Sequence, residues 1–257
     1  MNPDIFVFGG IRFAPYPTMM TIALIIGITG AVRDLIKLEG FTLRRAVEVS
    51  LIVPALGLVG ARLLYIIQNW EIVYLAPELV FLPRFAGMAY YGSLIAGALT
   101  NIVWCRWRKI NSMIVADIMV PYFLLGYSLV RIGCFFSGCC YGKVSDVPWA
   151  VVMTTAGDLP RHPVQLYASA LAFLGFILLL RLYRVRPFVG FVTLSMFAYY
   201  GLLRFTTEFF REKDAYILWA WLTEAQVFSL LLVLFSSLLI VIFYKREKTA
   251  KGRGFSG

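Results

Sequence analysis

Charge is scarce in this sequence, and histidine is nearly absent. Of the 257 residues, 15% are charged and 60% hydrophobic, and the single histidine is His162. A soluble domain carries roughly a quarter charged residues and about half apolar ones. This composition, with a mean hydropathy of +0.79, therefore excludes an ordinary soluble domain and indicates an integral membrane protein. One histidine cannot build a metal centre without help from cysteine. No C-x-x-C pair is present, and no internal repeat or low-complexity tract stands out beyond the basic tail "KREKTAKGRG". The opening "MNPDIFVFGGIRF" lacks the basic start and small-residue cleavage site of a secretory signal.

What the chain has in abundance is apolar runs. Seven reach about 20 residues, the length a helix needs to cross the hydrocarbon core: 17–36, 46–67, 87–105, 113–133, 164–183, 187–207 and 224–244. The formal charge of +10 is distributed over the short loops between them, which argues against nucleic acid as a partner. Fifteen of the 24 Lys and Arg residues fall on one side of the spans and six on the other. The basic side faces the cytoplasm, so the amino terminus is expected outside and the carboxyl terminus inside. The fold expected is all-α: a single seven-span membrane domain over 1–257, ending in a basic cytoplasmic tail over 244–257 that lies near anionic lipid.

The remaining three arginines, Arg62, Arg131 and Arg204, lie within spans or at their rims, where charge is costly. In "FAYYGLLRFTTEFFREKD" the residues Tyr200, Arg204, Glu208 and Arg211 fall on one helical face. One reading is an Arg204–Glu208 pair that only neutralises itself. The other is an anion site in which Glu208 orients Arg204. Tyr127, Arg131 and Cys134 share a face at the end of the fourth span. Two guanidiniums from different helices suit a phospholipid head group, since each offers paired planar donors to phosphate oxygens. Snorkelling to the interface is the simpler reading of Arg131, and fits Arg62 less well. Gly92, Ser93, Ala96 and Gly97 allow close helix approach; Tyr90 and Tyr91 suit an aromatic belt at the outer rim.

Three of the four cysteines, Cys134, Cys139 and Cys140, fall in "RIGCFFSGCCYGK" on the outer side, and Cys105 on the cytoplasmic side. A bridge from Cys134 to Cys139 or Cys140 suits an oxidising exterior; reactive thiols are the other reading. Three thiols with His162 would make four zinc ligands, although C-x4-C-C is not a usual zinc spacing. His162 itself stands between Pro160 and Pro163, just before the fifth span.

Together these pieces resemble the prolipoprotein diacylglyceryl transferase family. The likeness runs through "GARLLY", "GMAYYGSLIAG", "RIGCFFSGCCYGKVSDVPWA", "RHPVQLY" and "YGLLRFTTEFFRE". The family's central motif reads R-x-G-N-F-x-N-x-E-x-x-G. Arg131, Gly133, Phe135 and Gly142 keep it, while Cys134, Ser137 and Cys139 replace the two Asn and the Glu. Tyr91 stands at the histidine of the family's H-G-G segment, and Ser93 at its second glycine. Tyr200, Arg204 and Glu208 match its Y-G-x-x-R-x-x-x-E. His162 and Gln165 match H-P-x-Q-L-Y, with Ala168 where Glu is usual. The Tyr of the family's first span has no clear counterpart.

The resemblance implies a bacterial plasma-membrane enzyme with an outward-facing lipid cavity. Such an enzyme moves the diacylglyceryl group of phosphatidylglycerol to a lipoprotein precursor's cysteine, releases glycerol 1-phosphate, and uses no metal or organic cofactor. Arg131 and Arg204 would hold the phosphate, with Glu208 and Tyr200 positioning Arg204. Arg62, Gln165 and Gly142 join them in lipid binding, Gly142 permitting a turn. Tyr91 and His162 are the candidates for proton transfer or head-group contact, tyrosine being a poor base near neutrality, with an ordinary pKa of about 10. The cysteines are read first as a bridge holding the arginine loop. The alternatives are a paralogue with another acceptor, a phospholipid-binding or transport protein without catalysis, and a membrane thiol oxidoreductase.

Overall fold

A computed structural model describes residues 6–8, 11–75, 90–212, 217–219 and 222–253. The start of the third predicted span, Arg84, Gly87 and Lys213 lie outside the described residues, as does the side chain of Tyr90. The architecture is helical: α1 (Pro15–Glu39), α2 (Leu43–Gln68), α3 (Trp70–Leu75), α4 (Tyr90–Arg108), α5 (Ser112–Phe136), α6 (Val164–Arg184), α7 (Phe191–Glu208) and α8 (Glu224–Arg253). All but the short α3 coincide with the seven predicted runs. By length and apolarity α1, α2, α5, α6 and α8 suffice to cross a membrane. Outside that set are α4 and α7, the latter carrying the Tyr200–Arg204–Glu208 stripe. Helix α8 continues through the basic segment after 244 as far as Arg253.

Three small antiparallel ribbons join the helices: β1 (Phe6–Phe8) with β2 (Ile11–Phe13), β3 (Val151–Val152) with β4 (Pro160–Arg161), and β5 (Ile217–Trp219) with β6 (Leu222–Thr223). The chain divides into two compact units, one of residues 28–116 and the other of 1–27 with 117–257.

In the unit of 28–116, α2 and α4 pack through small residues. A Cβ on Gly60 would strike Ala96, and one on Gly92 would strike the Gly60 carbonyl, so the two backbones approach as only glycine allows. At the basic end, Glu48 pairs with Arg44 at 3.0 Å and with Arg108 at 2.5 Å. Leu51, Leu63, Ile95 and Val103 are exposed, as a face turned to hydrocarbon should be.

The other unit holds α5 to α8. The Ser128 hydroxyl on α5 reaches the Ser169 carbonyl on α6 at 2.9 Å. The phenol of Tyr199 on α7 donates to the Leu171 carbonyl at 2.6 Å. Asp117, fully buried near the start of α5, closes the open end of α7. Its carboxylate accepts from the Gly190 and Thr193 amides at 2.7 and 2.8 Å and from the Thr193 hydroxyl at 2.7 Å. These are amides that a helix start leaves without partners, and a carboxylate there also meets the positive end of the helix dipole. Helix α8 begins with a reciprocal cap. The Thr223 amide donates to Gln226 Oε1 at 3.0 Å, and the Gln226 amide to the Thr223 hydroxyl at 3.3 Å.

Candidate active site

The site is assembled where α5 ends. The Cys139 amide donates to the Cys134 carbonyl at 3.2 Å and the Gly138 amide to the Phe135 carbonyl at 3.1 Å, with Gly138 at φ +68°. This is a Schellman turn, which requires a left-handed residue after the helix and sets the next residue against the last turn. Cys139 thereby returns beside Cys134. Cys140 is itself left-handed at φ +60°, a conformation that strains any residue with a Cβ.

Three loops are then stitched together by backbone hydrogen bonds. The Gly142 amide donates to the His162 carbonyl at 3.1 Å, His162 to Lys143 at 3.0 Å, and Lys143 to Phe210 at 2.9 Å; Gly142 also bridges Arg211. A Cβ on Gly142 would lie 2.5 Å from the Phe210 carbonyl oxygen and 2.7 Å from that of His162. The close approach of these carbonyls is what requires glycine at 142. Its role is to let three strands of backbone meet, while Gly138 and Cys140 supply the left-handed turns. Beside this junction the Arg161 guanidinium pairs with Glu212 at 2.6 Å and lies over the Tyr141 ring at 4.7 Å.

The stitching brings Arg131 of α5, Arg204 of α7 and Arg211 of the following loop onto one narrow recess, together with Cys140, Gln165, Tyr127 and Thr207. Arg131 lies over the Tyr127 ring at 4.7 Å, and that ring meets Tyr200 edge-on at 5.8 Å. Glu208, 5% exposed, faces Arg204 at 3.0 Å and Arg211 at 4.0 Å. Its nearer oxygen makes no aligned hydrogen bond among the described residues, so the guanidiniums keep donors to offer elsewhere. Burial, and then the neighbouring positive charge of Arg204, pull the Arg211 pKa below its ordinary value. Gln165, 1% exposed, donates to the Cys139 carbonyl at 2.7 Å and leaves its own Oε1 without a partner among the described residues. Among the described residues, three cations against one carboxylate give this part-buried recess the chemistry to hold an anion.

Of the residues named from sequence, Arg131, Arg204, Glu208, Tyr200 and Gln165 gather at or beside this recess. His162 does not line it; its Nδ1 lies 3.1 Å from the Tyr167 hydroxyl and its ring packs on Phe210 at 5.3 Å. Tyr91 and Arg62 belong to the unit of 28–116, Tyr91 exposed and Arg62 over the Tyr65 ring at 5.5 Å. Cys134, Cys139 and Cys140 are unbridged, with their sulfurs all within 4.8 Å of one another. His162 is not part of that group. Arg211 was legible as a member of the α7 stripe, but its entry into the recess depends on the bridge to Gly142, which no side-chain pattern announces.

The family model described as prolipoprotein diacylglyceryl transferase matches residues 3–242. The chain belongs to the prolipoprotein diacylglyceryl transferase family. It is 32% identical to the phosphatidylglycerol–prolipoprotein diacylglyceryl transferase of Mannheimia succiniciproducens, over 97% of this chain and 96% of that one. The enzyme of the same name from Methylococcus capsulatus is 35% identical over 78% of this chain and 79% of its own. That of Geobacter sulfurreducens is 40% identical over 63% of each. Membership makes the chain a membrane transferase, and nothing in the comparisons favours a thiol oxidoreductase or a transport protein.

Proposed function

We propose that this chain transfers the diacylglyceryl group of phosphatidylglycerol to the cysteine thiol of a prolipoprotein, as its relatives' names describe for them. One observation carries the reading: Arg131, Arg204 and Arg211 meet at a single recess with Glu208 as the carboxylate paired there. In the reaction the bond between a glycerol carbon and a phosphate oxygen breaks, and sulfur bonds to that carbon. The electron pair leaves on glycerol 1-phosphate, and the thiol proton passes to a base. Negative charge grows on the phosphate as the bond breaks, so guanidiniums fixed around it favour the transition state over the ground state.

Glu208 holds Arg204 by charge without a well-aligned hydrogen bond, an arrangement that a phosphate displaces at low cost. The recess has room for about one water molecule as it stands, so the donor's entry requires these side chains to part. Of the residues considered for taking the thiol proton, His162 belongs to the same unit as the recess, though it does not line it. The same reading has all seven long helices crossing a bacterial plasma membrane, with the recess opening outward.

The test is transfer from phosphatidylglycerol vesicles to a prolipoprotein peptide by the purified chain. Arg131→Ala and Arg204→Ala should each lower the rate roughly 100-fold or more, the usual cost of losing a donor to the developing charge. Phosphatidylethanolamine vesicles should support none. Unchanged transfer in Arg204→Ala, or phospholipid binding with no glycerol 1-phosphate released, would count against the proposal.

A further inference from the structure

Phosphate binding uses the arginines and leaves the three outer cysteines unemployed. Cys134 is buried on α5, whereas Cys139 and Cys140 are exposed. Two independent devices bring them together: the Schellman turn that returns Cys139 to Cys134, and the left-handed backbone of Cys140. A disulfide would need two sulfurs about 2 Å apart and would leave the third without a part. Here three sulfurs lie together, every pair within 4.8 Å. A metal with sulfur bonds of about 2.3 Å in tetrahedral geometry sets its sulfurs roughly 3.8 Å apart, inside the observed limit. Cysteine thiolates are soft donors and select thiophilic cations over magnesium or calcium.

We propose that Cys134, Cys139 and Cys140 bind one thiophilic divalent cation of the Zn(II) class through three sulfurs. Three thiolates with a divalent ion carry one net negative charge. Cys140 lines the recess that Arg131, Arg204 and Arg211 share, so that charge answers part of the cationic surplus and leaves the rest for the phosphate. A monovalent ion would leave two negative charges and cancel the surplus, which is why the divalent class is preferred. Ligation moves no electrons; each sulfur that is still protonated releases its proton to solvent as it binds. The bound ion ties the Cys139–Cys140 loop to α5 and holds the wall of the recess. With three protein sulfurs, the fourth position of a tetrahedral ion stays open.

The experiment is a titration of the full chain, reduced and in detergent, with Cd(II), whose thiolate charge-transfer absorption reports ligation, followed by Zn(II) competition. The expected result is saturation at one Cd(II) per chain, displacement by Zn(II), and protection of these three thiols from alkylation. Cys140→Gly removes one sulfur while relieving the left-handed strain, so folding is not endangered; it should weaken binding at least 100-fold. Cys105→Ser should leave the titration unchanged. Absence of a saturable band, a titration indifferent to Cys140→Gly, or a disulfide within the trio in protein isolated without reductant each overturns the proposal. These readouts are separate from transfer, so the metal site and the transferase reading fail independently.

Discussion

At Cys140 several influences converge on one sulfur. Hydrogen bonds from Cys134 and then Cys139 hold its pKa well below the ordinary thiol value, with further help from the Arg131 and Arg211 charges; burial opposes them and is outweighed. A lowered pKa keeps the thiolate populated as pH falls below the range where ordinary cysteines protonate, near 8.5. In the metal-free chain at about pH 6, iodoacetamide should therefore modify Cys140 well before Cys139 or Cys105, as read by peptide mass spectrometry. Arg211→Gln should narrow that preference. Equal labelling of Cys139 and Cys140 at this pH would contradict the account. Arg204, Glu208 and Tyr200 could be placed from sequence because helical spacing alone puts them on one face. The cysteines could only be placed near one another, since their convergence depends on backbone conformations at Gly138 and Cys140.

Elements were legible wherever hydrophobic length decides the matter. Each of the seven predicted runs finds its helix, because about 20 apolar residues leave the backbone no cheaper way to satisfy its polar groups in lipid. The ribbons and stitched loops were not legible; the ribbons are pairings of two or three residues, too short to leave a pattern, and the loops are joined by main-chain hydrogen bonds whose partners are far apart in sequence. Asp117 is illegible for a different reason. A lone acid near the start of an apolar run shows nothing of its target, which is the amide end of another helix 73 and 76 residues on. Asp117→Ala should strip the start of α7 of its cap and lower stability by about 1.5–3 kcal/mol, the typical worth of hydrogen bonds to a charged group. Thermal unfolding in detergent measures it. Asp117→Asn, which keeps one acceptor oxygen, should lose less. No change in midpoint for the alanine variant would mean that α7 does not need the carboxylate.

At the scale of the whole molecule, the orientation proposed from the asymmetry of Lys and Arg has the Cys139–Cys140 loop outside and the Arg186–Val189 turn in the cytoplasm. In the unit that contains both, that turn packs near Phe243 and Arg246 late in α8, whereas the cysteine loop joins the residues after α7. A membrane-impermeant maleimide should label Cys139 or Cys140 in intact cells, and a cysteine placed at Val189 only after permeabilisation. The reverse pattern would invert the topology. The junction at Gly142 has a further consequence, for biosynthesis. Its three segments leave the ribosome in turn, near residues 142, 162 and 210, and Arg211 arrives with the last. A nascent chain halted after α6 would already carry Arg131 and all the cysteines, yet it would lack Arg204 and Arg211. On the proposed reading, the anion-holding recess is therefore among the last features of the chain to form during insertion.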